Sequence, residues 1–138
     1  ISINFEIKQH GIKKYKSKIK EGKMDKKEAL KKVKNNGWDL YELDDKFKKD
    51  KDVVTAAVKA EPGAIEYAHK SLLDDKKLFS MAILQSKNGM IMKLAGPKLK
   101  KDKKFVMEML TKTKDNYVLE YADQSLKSDK DLQAQAQK

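Results

Sequence analysis

Cysteine is absent from the 138 residues, and so is arginine. The first absence excludes disulfides, thiolate metal sites and a Cys–His nucleophile, while leaving the redox compartment open. The second removes the bidentate guanidinium fork that reads guanine and grips phosphate in most specific nucleic-acid sites. Histidine is scarce: His10 and His69 stand in different regions and form no metal-ligand spacing of the H-E-x-x-H kind. Neither a glycine-rich phosphate loop nor a nucleophile elbow occurs. No apolar run approaches the length of a membrane span, and no signal-peptide pattern opens the chain. The expectation is a chain with no catalytic residues, no metal and no cofactor. A cytoplasmic setting is favoured, with export left open because the first residue is Ile1 rather than Met.

What is present is lysine. All 32 basic residues are lysine, against 21 acids, for a formal net charge of +11. Lysines hold a polyanion as point charges, giving salt-sensitive binding with little sequence preference. A coding bias toward lysine is the favoured account of the excess, since net charge speaks to solubility and non-specific association rather than fold. Charged residues make up 38% of the chain and the mean hydropathy is −0.80, values that approach disorder. The 39% of hydrophobic residues are periodic, however, and suffice for a core. The length suits one ordinary domain and is too short for two well-buried ones.

Residues 1–24 differ from the rest. They hold seven lysines against Glu6 and Glu21, a balance of +5, leaving +6 for the remainder. Ile3, Phe5 and Ile7 alternate as in a short strand. Ile12, Tyr15 and Ile19 then come at helical spacing beside a stripe of Lys13, Lys16 and Lys20. This basic leader is expected to cover the open end of the array that begins at Asp25, the alternative being an anchor to an anionic surface.

From Asp25 the chain repeats. Aspartates at Asp25, Asp50, Asp75, Asp102 and Asp129 are separated by steps of 25, 25, 27 and 27 residues, and each is followed by lysine. Aspartate is a strong helix N-cap, accepting the orphan amide hydrogens of the first turn and complementing the helix dipole. Midway come Gly37, Gly63, Gly89 and then Asn116, residue types that tolerate the left-handed conformation closing a helix. Each unit therefore reads as cap, helix, left-handed stop, second helix and short turn. The spacing predicts an all-α fold of tandem αα-hairpin (helix-turn-helix) repeats stacked into a short array. The units are 25–49, 50–74, 75–101 and 102–128, with a truncated terminal helix over 129–138.

The apolar positions obey the same plan. Ala29, Leu30 and Val33, then Val53, Val54, Ala57 and Val58, then Phe79, Ala82 and Ile83, then Val106, Met109 and Leu110 each mark one buried face at i, i+3, i+4 spacing. In the second arms Leu40, Leu43 and Phe47 correspond to Ile65, Ala68 and Leu72. These match Met92, Ala95 and Leu99, then Leu119, Ala122 and Leu126. Pro62 cannot continue the helix before it, and Pro97 predicts a kink or early break in the third unit's second arm.

Asp50 to Val54 with Ala57-Val58, then Gly63-Ala64-Ile65-Glu66-Tyr67-Ala68, Leu72 and Asp75, resembles a tandem repeat family known as domain of unknown function 4116. Asp102 to Val106, with Leu119-Glu120-Tyr121-Ala122, Leu126 and Asp129, looks like a second good copy. The units from Asp25 and Asp75 diverge more, with Trp38 after Gly37 and Met90 to Leu94 in place of the Tyr-Ala form. The resemblance covers roughly residues 25–129. It implies an all-helical, bacterial or protist repeat protein of no assigned activity, and carries over no functional residue.

The adjacent acids Asp44-Asp45 and Asp74-Asp75 are expected to cap and solvate rather than bind a cation. His69 is expected at a rim. Among the methionines, Met90 and Met107 are expected to reach solvent. Aromatic residues dominate binding hot spots, which makes Trp38 and Tyr41 candidate binding residues, with Tyr67, Tyr117 and Tyr121 behind them. The function expected is a non-enzymatic helical-repeat interaction module, a scaffold for an unknown protein partner. The alternative is sequence-independent binding of nucleic acid or another polyanion through Lys13, Lys16, Lys20 and other surface lysines.

Overall fold

Each long helix begins where an aspartate meets the orphan amides of a first turn. The computed structural model describes residues 24–138, so Lys13, Lys16, Lys20 and the reading of the basic leader before Met24 lie outside the described residues. Asp25 accepts from the Glu28 amide at 2.8 Å, and Glu28 answers with a bond from the Asp25 amide, completing a capping box ahead of α1 (Lys26–Asn35). Asp50 accepts from Asp52 at 2.9 Å and from Val53 before α2 (Lys51–Ala60). Asp75 and Asp102 each accept from the third residue on at 3.0 Å, before α3 (Lys76–Ser86) and α4 (Lys103–Thr113). Asp129 does the same for α5 (Lys130–Ala136).

The chain is an all-α repeat array, and no strand occurs among the described residues. Each long helix turns one apolar face inward. Fully enclosed are Val53, Val54, Ala57 and Val58 of α2, Phe79, Ala82 and Ile83 of α3, and Val106 and Met109 of α4. The end helices bury less: Ala29 and Val33 in α1, and Leu132 in α5. Among the described long helices α1 packs on α2 alone and α5 on α4 alone, whereas α2, α3 and α4 each have a long helix on both sides.

The second arm of each unit is divided in two. A middle segment comes first: 3₁₀ turns over Gly37–Glu42, Pro62–Tyr67 and Gly89–Leu94, and a short α turn over Tyr117–Glu120. A single closing turn comes next, at Asp45–Lys48, Lys70–Leu72, Pro97–Lys100 and Gln124–Lys127. Between them Leu43, Ala68 and Ala95 are extended, with ψ of 155°, 145° and 152°. The pairs Leu40 and Leu43, Ile65 and Ala68, and Met92 and Ala95 are three residues apart, which is one full 3₁₀ turn. Both members therefore face the core without a continuous α-helix.

Two expectations are corrected. Gly37, Gly63 and Gly89 do not adopt the left-handed conformation, and Asn116 is right-handed helical with φ −67°. Helices α1 and α2 end instead in the extended residues Asn36 and Glu61, whereas α3 and α4 end in left-handed Lys87 (φ 51°) and Lys114 (φ 58°). The extra helical residue and the left-handed lysine are the two residues by which the later units are longer. The glycines are there for space. A Cβ on Gly37 would meet the Ala57 carbonyl oxygen, and one on Gly89 would lie 2.9 Å from Asp115 and Val118. Pro97, the expected kink, opens a closing turn instead, as Pro62 opens a middle segment. First helical positions suit proline because their N–H would go unpaired anyway.

Two ladders join the units. The lysine after each capping aspartate reaches the capping aspartate of the next unit: Lys26 to Asp50 at 3.0 Å, Lys51 to Asp75 at 2.8 Å, Lys76 to Asp102 at 2.5 Å and Lys103 to Asp129 at 2.9 Å. On the closing turns the amides of His69, Gly96 and Asp123 donate to the carbonyls of Lys48, Leu73 and Lys100 at 2.8–3.0 Å. At the corresponding carbonyl of the fourth unit, Lys127, the donor is the Gln133 side-chain amide at 2.7 Å.

Candidate interaction face

Once the two extra residues of the later units are allowed for, the same position after the capping aspartate is held by Trp38, Gly63, Met90 and Tyr117. The column three residues further on is Tyr41, Glu66, Lys93 and Glu120. With three residues per turn, one ridge of a 3₁₀ segment faces the core and the next faces out, so both columns are directed to solvent. The outcome is specific: among the described residues Trp38 (44% exposed), Tyr41 (64%), Met90 (45%) and Tyr117 (44%) are the large exposed hydrophobics, and all four lie on middle segments. Met107, by contrast, is half-buried against the core.

At the first two units these side chains form a cluster. Tyr67 meets the Trp38 ring edge-on at 6.2 Å between centroids and the Tyr41 ring at 5.0 Å. Gly63 makes room for this, since a Cβ there would stand 2.5 Å from the far edge of the Trp38 ring. The Lys48 ammonium lies 5.7 Å from the centre of the Tyr41 ring. In the fourth unit Tyr117 and Tyr121 stack at 6.0 Å. Tyr67 and Tyr121 hold equivalent positions but have different partners, because the unit before Tyr67 offers aromatic rings and the unit before Tyr121 offers Met90 and Lys93.

The remaining polar candidates are absorbed by backbone. Asp44 accepts from the Asp45 amide, and Asp74 accepts from Leu99 at 3.1 Å, capping the closing turn that Gly96 opens without a side chain. A Cβ on Gly96 would collide with that Asp74 carboxylate. The His69 Nδ1 accepts from the Ser71 amide at 3.1 Å, which makes it a turn cap. Among the described residues no cluster of His, Cys, Asp and Glu is arranged to hold a metal ion. No helix among them is long and apolar enough to cross a membrane.

The long helices present a different surface. Between α1 and α2 an open trough of about 530 Å³ has Leu30, Thr55 and Ala56 at its floor and Lys34 and Lys59 at its rim. A similar trough of about 440 Å³ lies between α3 and α4, beside Met81 and Phe105. Lysines are spread over the long helices and closing turns, and those after the first four caps are already engaged in the ladder.

A family model described as Domain of unknown function (DUF4116) matches residues 25–73 and 75–127, well over half of the chain. The chain belongs to this family. Each matched DUF4116 segment spans two of the repeating units, and the boundary between segments falls at Asp74, the residue that caps forward into the next unit. No curated protein and no solved structure matches the chain. The DUF4116 description names no activity. Of the candidate binding residues, Trp38 and Tyr41 are brought together and exposed. Counting positions from each cap, rather than aligning Gly63 with Gly37, is the signal that places Gly63 in the Trp38 column.

Proposed function

We propose that this DUF4116 chain is a non-enzymatic interaction module that binds a protein partner through its middle segments. One observation carries the reading: among the described residues the large exposed hydrophobics Trp38, Tyr41, Met90 and Tyr117 share one kind of element, while the apolar residues of the long helices are mostly enclosed. Aromatic anchors that are exposed but braced lose little conformational freedom on binding, which is why such residues dominate hot spots. Trp38 and Tyr41 are braced by Tyr67 in this way.

The test is capture of a partner by cross-linking from the native cell, comparing the parent chain with Trp38→Ala/Tyr41→Ala. A hot-spot loss of about 2 kcal/mol or more, roughly thirtyfold in affinity, is expected for the pair. A control at the trough, Thr55→Ala/Lys59→Ala, is expected to leave capture intact. Unchanged capture by the aromatic variant, with helicity preserved, would overturn the reading. The polyanion alternative has a separate signature, nucleic-acid binding that falls steeply with salt and ignores Trp38.

A further inference from the structure

The aromatic cluster sits where charge runs against the whole, as it also does over residues 115–126, which hold Asp115, Glu120 and Asp123 and no lysine. Residues 36–42 and 61–67 contain Asp39, Glu42, Glu61 and Glu66 and not a single lysine, in a chain with 32 lysines and 21 acids. Asp39 is engaged by Lys32 at 3.6 Å and by the side-chain amide of Asn36 at 3.0 Å. Glu42 and Glu66 are exposed, and Glu61 is half-buried. Glu61 is held beside the cluster: a Cβ on Gly37, the residue before Trp38, would lie 2.9 Å from the Glu61 Cβ. Glu66 precedes Tyr67 and occupies the Tyr41 column. Glu42 comes after Tyr41 and occupies the Tyr67 column. Rings and carboxylates thus alternate across two adjacent middle segments. The fold already sets a lysine against one of these rings, with Lys48 5.7 Å from the Tyr41 centroid.

We infer that the Trp38–Tyr41–Tyr67 cluster is a docking site for a lysine-bearing peptide segment, its ammonium groups received by the ring faces and by Glu61, Glu66 and Glu42. This rests on the proposed interaction function and names the chemistry of the partner. Aromatic faces attract ammonium through their quadrupoles, most strongly tryptophan, and flanking carboxylates add direct charge pairing. The combination selects a cationic segment over an acidic or a neutral one. A neutral apolar partner would gain nothing from three carboxylates on the same two middle segments as the rings, and would have to desolvate any that it covered. The long helices and closing turns carry most of the lysines and are the wrong sign for this ligand.

Trp38 is the only tryptophan in the chain, so its emission reports on this site alone. The probes are an alternating lysine–glycine peptide, its glutamate–glycine counterpart and a neutral serine–glycine peptide carrying leucine and tyrosine. Saturable change of Trp38 emission is expected with the lysine peptide and not with the glutamate peptide. Glu61→Gln/Glu66→Gln is expected to weaken lysine-peptide binding by about tenfold, as would Tyr41→Ala, which removes one cation–π face. Labelled-peptide anisotropy provides a readout independent of tryptophan. The inference is overturned if the lysine peptide does not bind, if Glu61→Gln/Glu66→Gln binds it as well as the parent, or if the glutamate peptide binds better. Should the neutral peptide bind as tightly as the lysine peptide and still require Trp38 and Tyr41, the interaction face stands and only its cationic selectivity falls. Should the lysine peptide bind Trp38→Ala/Tyr41→Ala undiminished, while native capture also survives in that variant, both fail.

Discussion

Gly37 and Gly63 differ in what stands against them, and the difference sets the cost of adding one methyl. At Gly37 the obstacle is backbone, the Ala57 carbonyl oxygen. Carbonyls inside a helix do not yield, so Gly37→Ala is expected to destabilise by about 1–3 kcal/mol, the usual range for overpacking. At Gly63 the obstacle is the far edge of the Trp38 ring at 2.5 Å, on a side chain that is 44% exposed. That ring has somewhere to go. Gly63→Ala is expected to cost less than about 1 kcal/mol and to shift Trp38 emission to the red as the ring swings into water. Urea denaturation and emission spectra of the two variants check both statements, and equal costs would contradict them.

At the scale of the element, the two ways of ending a long helix carry different strain. Lys87 and Lys114 close α3 and α4 with φ of 51° and 58°, a region where an L side chain crowds its own carbonyl. Replacing either by glycine removes that crowding, at the expense of a more flexible unfolded chain. Lys87→Gly and Lys114→Gly are each expected to stabilise by about 0.5–1 kcal/mol, read as a higher urea midpoint at an unchanged slope. The α1 and α2 ends offer no such gain, because Asn36 and Glu61 are extended at φ −148° and −141°. The division of the second arms has the same local character. Leu40 with Leu43, and Ile65 with Ala68, fit either a loose α reading or a tight 3₁₀ one, and only the neighbouring unit decides between them.

Across the whole molecule, the lysine–aspartate ladder makes stability depend on pH in a definite sense. For Asp50 and Asp75 partial burial alone would push the carboxyl upward, but Lys26 and Lys51, with the amides of the helix start, hold each below the ordinary value. For Asp102 and Asp129 the lysine before them, Lys76 or Lys103, is the largest influence and acts in the same direction. A carboxyl lowered in the folded state contributes stability that is present above its unfolded value and lost as pH falls through its folded one. The urea midpoint is therefore expected to fall steadily once pH drops below about 4. Lys26, raised by Asp52 and Asp50, and Lys103, raised by Asp129 and Asp131, act at the opposite end, losing their contribution above about pH 10.5. A midpoint that does not move between about pH 6 and pH 3 would show the ladder to be energetically silent. Exposed pairs contribute little to stability, so the array stands mainly on its enclosed apolar faces.

The sequence by itself determined where helices begin and which faces turn inward. Asp50 and Asp102 act on amides two or three residues away, and Val53, Val54, Ala57 and Val58 need only the helical period to share a face. Such information is local, and local chemistry is readable in one dimension. What only the tertiary structure decided involves contact across a unit boundary. That Lys51 reaches Asp75, that His69 donates to Lys48, and that Gly37 is small because Ala57 lies against it are facts of stacking distance. The aromatic face belongs to the same class. Trp38 and Tyr41 are ordinary exposed candidates until Tyr67, from the next unit, is packed against both, and the placing of Glu61 near them depends on how closely the end of α2 lies against Gly37.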